Sequence, residues 1–250
     1  MSFVGTGPGD PELITLKGLR RLREADVVVH DRLIPVELLS DVRADADVID
    51  VGKAAGRQGV AQDGINRLIV ERARARGRLV RLKGGDPGLF GRLDEEIGAV
   101  RAAGLPFEIV PGVTAATAAA AVAGCSLTAR GRASLVVLAT GTDHTAEETA
   151  GLDWDLLARI EGTLVFYMAA RRLPSITTLL ADLGRDPGEP ALVVEAAGRR
   201  DARIVSGELG TIAEAARQAG IEPPAIFITG PTAGLARVSL ARLLEAGAYA

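Results

Sequence analysis

The chain has 250 residues, 48% hydrophobic and 24% charged, enough apolar material for one large or two smaller folded domains and too much for a disordered tail. A net charge of −3 with an isoelectric point near 5.6 excludes a general nucleic-acid binder, so any basic site must be local. The lone Cys125 excludes an internal disulfide, and with only His30 and His144 beside it no metal-site signature forms.

A reducing, cytoplasmic setting follows as an expectation, with no metal. The first strand begins within three residues, without a charged and apolar leader, and no apolar run reaches about 18 residues. A soluble, unprocessed protein with no membrane partner is therefore expected.

Short apolar runs alternate with longer amphipathic stretches. Strands are predicted at 2–4, 26–30, 47–51, 78–82 and 107–110, with helices near 15–24, 35–42, 62–76 and 92–103 between them, an α/β rhythm. The first strand runs into Gly5-Thr6-Gly7-Pro8-Gly9-Asp10-Pro11. This is not the Gly-x-Gly-x-x-Gly spacing of a dinucleotide site, and the prolines postpone any helix to about Thr15. A backbone cradle for an uncharged or zwitterionic small molecule fits better.

Asp31 follows strand 26–30 at its carboxyl end, where open α/β sheets hold ligands; alternatively Asp31-Arg32 only starts the next helix. His30 alternates with Val29 and reads as packed or half-exposed. Lys53, after strand 47–51, occupies the same sheet edge, either as acid/base partner of Asp31 or as a surface lysine. In helix 62–76, Ile65, Leu68, Ile69 and Ala73 form an apolar stripe that should cover the sheet, and Gly77 ends it.

Strand 78–82 stops abruptly in Gly84-Gly85-Asp86-Pro87. Glycine lets a ligand approach the main chain and Pro87 fixes the exit, yet a plain tight turn has the same composition. Two such turns in one domain predict one shared cleft. Arg92, beyond the second turn, and Arg130 are candidates for clamping carboxylates through a bidentate fork.

After Pro111-Gly112 come an alanine-rich helix at 114–123 and a connecting stretch at 125–131. The pattern predicts an N-terminal α/β domain at 1–112, a connecting helix and linker at 113–130 and a C-terminal α/β domain at 131–250. In the last, strands are expected near 134–139, 163–168, 190–195, 202–206 and 225–229, and helices near 153–160, 171–183 and 208–219. Residues 141–151 read as an exposed loop, and the close spacing of 190–195 and 202–206 predicts a hairpin in a partly antiparallel sheet. Met168, at a strand end, reads as core packing.

Taken in order, Val4 to Thr15, Asp31-Arg32-Leu33, Val51-Gly52-Lys53, Gln62 to Asn66, Arg81 to Pro87 with Phe90-Gly91-Arg92, Val110 to Ala115 and Tyr167-Met168 resemble the tetrapyrrole methylase family over nearly the whole chain. The resemblance implies two α/β domains of the tetrapyrrole methylase type, with S-adenosylmethionine in the cleft between them, usually in a homodimer. It implies cofactor contacts at Pro8, Gly84, Gly85, Asp86, Leu89, Thr114, Ala115, Met168 and Ala197. The implied reaction methylates the tetrapyrrole uroporphyrinogen III at ring carbons 2 and 7, giving precorrin-2 and S-adenosylhomocysteine for cobalamin or siroheme synthesis. Asp31 is nominated as proton acceptor, Lys53 as donor, and Arg92, Glu95 and Arg130 as substrate contacts.

The chain departs from the family pattern at Gly88, Leu93, Asp94, Ala129 and Thr142, and Ala196-Ala197 replaces an Asn-Gly pair. These positions motivate one rival, a methylase of the same fold acting on another precorrin or a specialised metabolite; a rival of another class is a catalytically silent cofactor-binding or interaction protein that has kept the cleft. A nicotinamide dehydrogenase stands further off, for want of the glycine spacing.

Overall fold

A computed structural model describes residues 1–52, 61–141 and 151–236. The chain divides into two compact units, Met1–Ala115 and Ala116 onward. Each carries a five-stranded sheet.

In the first unit β1 (Ser2–Gly5), β2 (Val27–His30), β3 (Asp47–Asp50), β4 (Leu79–Lys83) and β5 (Glu108–Val110) lie in the order β3-β2-β4-β1-β5. All pairs are parallel, so every strand ends at the same sheet edge. The period of two along each strand sorts its side chains between two cores. Phe3, Val27, Val29 and Leu79 pack under α2 (Gln62–Arg76) and α3 (Leu93–Ala102). Val4, Val28, Val80, Leu82 and Val110 pack under α1 (Leu16–Arg23) and the turn that follows β2. The apolar stripe foreseen for α2 does its part: Ile65, Ile69 and Ala73 are buried against the sheet.

One helix expectation is corrected in form and another is met. The segment expected as a helix at 35–42 is a 3-10 helix, Val36–Asp41, entered from Pro35 without a side-chain cap. The helix expected from about Thr15 starts at Leu16, with the Thr15 hydroxyl capping Gly18 N.

The second unit opens in α4 (Ala115–Val122) and builds its sheet from β6 (Val136–Thr140), β7 (Thr163–Tyr167), β8 (Pro190–Glu195), β9 (Arg203–Glu208) and β10 (Ala225–Thr229). The order is β6-β7-β10-β8-β9, with β6 and β7 parallel and the remaining pairs antiparallel. The expected β8/β9 hairpin is present. Helices α5 (Trp154–Arg159), α6 (Leu173–Asp182) and α7 (Ile212–Gln218) cover one face through Leu157, Ile176, Leu180 and Ile212. Trp154 stacks on Phe166 at 6.0 Å and Phe166 on Phe227 at 5.7 Å, an aromatic column through this core. Arg185 is buried beside it and spends all five of its N–H donors. It donates to Glu189 Oε1 and Oε2 and to the carbonyls of Leu157, Ile160 and Gly162. No helix among the described residues is long and apolar enough to cross a membrane.

Candidate active site

The carboxyl edge of the first sheet gathers the segments that follow β1, β2, β4 and β5. The two glycine turns bond directly. Gly85 N donates to Gly7 O at 2.7 Å and Gly7 N to Gly85 O at 3.2 Å, while Thr6 N and its hydroxyl donate to Lys83 O. Gly85 has φ +68°, a left-handed value that glycine takes without strain. The segment after β5 closes on the same point, since a Cβ on Gly112 would sit 2.3 Å from Gly85 O and 2.9 Å from Gly5 Cα.

On the other side Gly85 is loosely packed. A Cβ there would reach van der Waals contact with Val113 O at 3.9 Å and Ala115 N at 4.0 Å. Bare main chain at 85 thus faces main chain at 113–115, so Gly84, Gly85 and Asp86 lie beside Thr114 and Ala115. Asp86 is held there by two donors, Gly88 N on Oδ1 at 2.8 Å and Gly112 N on Oδ2 at 3.0 Å. Its first task is therefore to tie the loop after β4 to the loop after β5, and the remaining lone pairs of each oxygen stay available to a ligand. Pro8 and Leu89, partly buried, stand on the same two turns.

Asp31 continues the row of Val27 and Val29 beyond the end of β2. Its neighbours on that face are Arg81 and Lys83 from β4 and Glu96 from α3. Arg81, only 1% exposed, donates from Nη2 to Asp31 Oδ1 at 2.5 Å, and from Nε and Nη2 to Glu96 Oε1 at 3.2 and 3.0 Å. Its Nη1 donates to Leu82 O. Lys83 Nζ lies 3.0 Å from Glu96 Oε2, an ion pair whose alignment leaves that oxygen without a well-directed hydrogen bond. Gln62, opening α2, reaches Glu96 Oε1 at 3.4 Å and Asn66 at 3.0 Å. Burial lowers the Lys83 pKa and the Arg81 charge adds to that, partly opposed by Glu96 and Asp31. His30 is buried, as expected, with Nδ1 3.1 Å from Asp31 O.

This ionic cluster is the part of the site that sequence reading misses. Arg81 and Lys83 flank Leu82, which reads as a strand running out into polar residues. In a central parallel strand the same alternation puts both cations on an interior face. Glu96, in the first turn of α3, is the buried partner.

Arg92 begins α3 from a left-handed φ of +52° and forms a bidentate pair with Glu95 at 2.6 and 2.8 Å. Phe90 is left-handed too, at +54°. With Gly88, Leu93 and Asp94 they line a surface cavity of about 380 Å³.

In the second unit β6, β7 and β8 all end at one edge, since β6 and β7 are parallel and β7 and β8 both oppose β10. Two expected cofactor positions stand there. Met168 corrects the core-packing reading: at φ +55° it turns outward and is 47% exposed. Ala197 is buried, beside Ala196 at φ +49°. The Tyr167 hydroxyl accepts Ala116 N at 3.3 Å, which satisfies one free donor of the first turn of α4. Arg130 is exposed in the turn bridged by Ala129 and Ala133. Lys53, Thr142 and most of the loop expected at 141–151 lie outside the described residues.

Comparison with known proteins gives consistent results. Residues 1–213 match the model of the tetrapyrrole (corrin/porphyrin) methylases. Siroheme synthases of Pseudoalteromonas atlantica and Gluconacetobacter diazotrophicus are 45% and 44% identical over 93% and 91% of this chain. The chain spans about half the length of these curated relatives, 50% and 48%. Among solved structures, a uroporphyrin III C-methyl transferase from Thermus thermophilus superposes with a TM-score of 0.80 at 40% identity, covering 94% of this chain and 98% of that one. A structure under the same enzyme name from that organism is complexed with S-adenyl homocysteine and matches equally. A cobalt precorrin-4 methyltransferase follows at TM-score 0.81 and 29% identity, covering 92% and 93%. The chain belongs to the family of tetrapyrrole (corrin/porphyrin) methylases.

Proposed function

We propose that the chain is an S-adenosylmethionine-dependent C-methyltransferase that converts uroporphyrinogen III to precorrin-2, on the route to siroheme or cobalamin. The observation that carries this reading is the match, along almost all of both chains, to a uroporphyrin III C-methyl transferase. The half-length match to siroheme synthases supports the siroheme branch. A homodimer in the cytoplasm is part of the same proposal.

The residues present fit the cofactor. Gly85, partly exposed, presents main chain without a Cβ beside residues 113–115, and Asp86 offers oriented carboxylate oxygens to hydroxyl or ammonium donors. Pro8, Gly84, Gly85, Asp86, Leu89, Thr114, Ala115, Met168 and Ala197 would hold it. When bound, it supplies an activated methyl group on a sulfonium, so the protein needs no strong nucleophile of its own.

The chain's residues orient and discharge. Arg92 and Arg130 take carboxylates of the substrate; at Arg92 these replace Glu95, already seated in the bidentate geometry that a carboxylate requires. Methylation of a ring carbon leaves one positive charge, which is released as one proton. Asp31 accepts it: Oδ1 is committed to Arg81, so Oδ2 is the basic atom. Lys53 keeps the donor role that the resemblance nominates, returning a proton to the ring only against a second one removed elsewhere, so that the net loss per methyl transfer stays at one.

A second reading is favoured by one observation. Gly88, Leu93 and Asp94, all departures from the family pattern, line one cavity with Arg92, as they would if the substrate were a different precorrin. One experiment separates the two. Purified protein is incubated anaerobically with S-adenosylmethionine and fresh uroporphyrinogen III, and the oxidised tetrapyrrole is weighed by mass spectrometry. A gain of two methyl groups is expected. No gain, with S-adenosylmethionine still bound by calorimetry, overturns uroporphyrinogen III as substrate.

A further inference from the structure

The cluster around Asp31 carries charges that the reaction itself does not call for. Arg81 and Lys83 contribute two positive charges and Glu96 one negative, with side chains at most 4% exposed. Three buried charges that sum to +1 are costly, and well-packed apolar residues would hold β4 against α3 at least as firmly. The sum reaches zero only with Asp31, whose side chain is the one partly exposed member, at 33%.

We propose that Arg81, anchored by Glu96, which Lys83 pairs in turn, is a positioning residue for proton transfer: it fixes Asp31 Oδ1 and so leaves Oδ2 for the substrate. This rests on the functional reading above, in which Asp31 is the proton acceptor. The geometry supports directed holding over general packing. Arg81 Nη2 is shared between Glu96 Oε1 at 3.0 Å and Asp31 Oδ1 at 2.5 Å, so the guanidinium is pinned from the buried side while it grips the exposed one. Gln62 fixes Glu96 from α2, which gives the Gln62 segment of the sequence pattern a task. Other groups near Asp31 are His30, whose Nδ1 faces the Asp31 carbonyl, its chain neighbour Arg32, and Asp50 on β3, whose Oδ1 accepts Gly52 N.

Charge arithmetic gives a test that packing alone would not satisfy. In Arg81→Gln a positive charge beside Asp31 is lost, so the acid limb of the kcat–pH profile moves to higher pH. In the near-isosteric Glu96→Gln a negative charge is lost, so the limb moves to lower pH. Shifts of about half a pH unit or more, in opposite directions, are expected, with kcat at its optimum down about tenfold in Arg81→Gln and KM for uroporphyrinogen III changed less than about threefold. On an Asp31→Ala background, Arg81→Gln should leave the residual rate unchanged within about twofold. Either variant suffices if the other fails to fold. Limbs that stay put or move the same way overturn the inference alone, as does an Arg81→Gln loss that persists without Asp31. A folded wild type that does not methylate uroporphyrinogen III overturns the functional reading, and this inference with it.

Discussion

Two arginines, each almost wholly buried, do opposite things in the two units. Arg185 divides five N–H donors between Glu189 and three carbonyls, and Glu189, its side chain 17% exposed, in turn accepts from the Thr229 hydroxyl, so every donor is spent on a partner that is itself held by the protein. Arg81 has the same burial and a glutamate of its own, but one donor leaves the interior for Asp31. A closed network can only stabilise; an open one delivers charge to a surface. Burial of an arginine is therefore not the informative observation, and the exposure of its last partner is.

Replacing Arg185 with Met should have the largest effect on stability. It leaves Glu189 and three carbonyls without their donor and should cost about 3–5 kcal/mol in denaturant unfolding, with the pH profile of the folded fraction unmoved. If that variant shifts the acid limb as Arg81→Gln should, the contrast between the two arginines collapses.

The glycine edge comes next. Gly112→Ala places a methyl group 2.3 Å from the Gly85 carbonyl, with backbone on both sides, and should cost about 1–3 kcal/mol and weaken S-adenosylmethionine binding in calorimetry. Gly85→Ala meets nothing closer than 3.9 Å and loses only the ease of φ +68°, about 1–2 kcal/mol.

An exposed cluster sharpens the comparison from the other side. Glu108 accepts from Lys17 at 2.7 Å, from Ser2 at 2.9 Å and from Arg21, and these bonds, the Arg21 one foremost, hold its pKa down to about 2 from the ordinary 4.5. The folded value is depressed, so its contribution is present above about pH 4.5 and is lost as pH falls toward about 2. With solvent screening, Glu108→Gln should cost about 1 kcal/mol or less at pH 7 and nothing near pH 2, read from denaturant midpoints at the two pH values. Smallest is Ala196→Gly, which relieves a left-handed alanine at φ +49° and should stabilise by about 0.5 kcal/mol, seen as a small rise in Tm.

Much of this was legible beforehand because local rules and tertiary structure agree. Strands of continuous apolar residues, such as Val27 to Val29, are those buried on both sheet faces. Gly84-Gly85 and Gly5 to Gly9 announce turns, and the left-handed φ values at Gly7 and Gly85 are what glycine permits. The cluster was not legible because Arg and Lys are mostly surface residues, and only the central position of β4 turns residues 81 and 83 inward. Arg92 and Glu95 could be nominated separately by resemblance, but their bidentate pairing is a property of the first turn of α3. The left-handed turn at Met168 had no cue, since nothing in methionine's own preferences predicts a positive φ.

The aromatic column has a practical consequence. The chain contains one tryptophan, and Trp154, partly buried, stacks on Phe166 against the core of the second unit. Indole emission is thus a private reporter of that half, whereas far-ultraviolet circular dichroism sums the backbone of both. Recorded on one sample, the two signals resolve where a substitution acts: Arg185→Met should displace the emission transition, and Arg81→Gln should leave it in place.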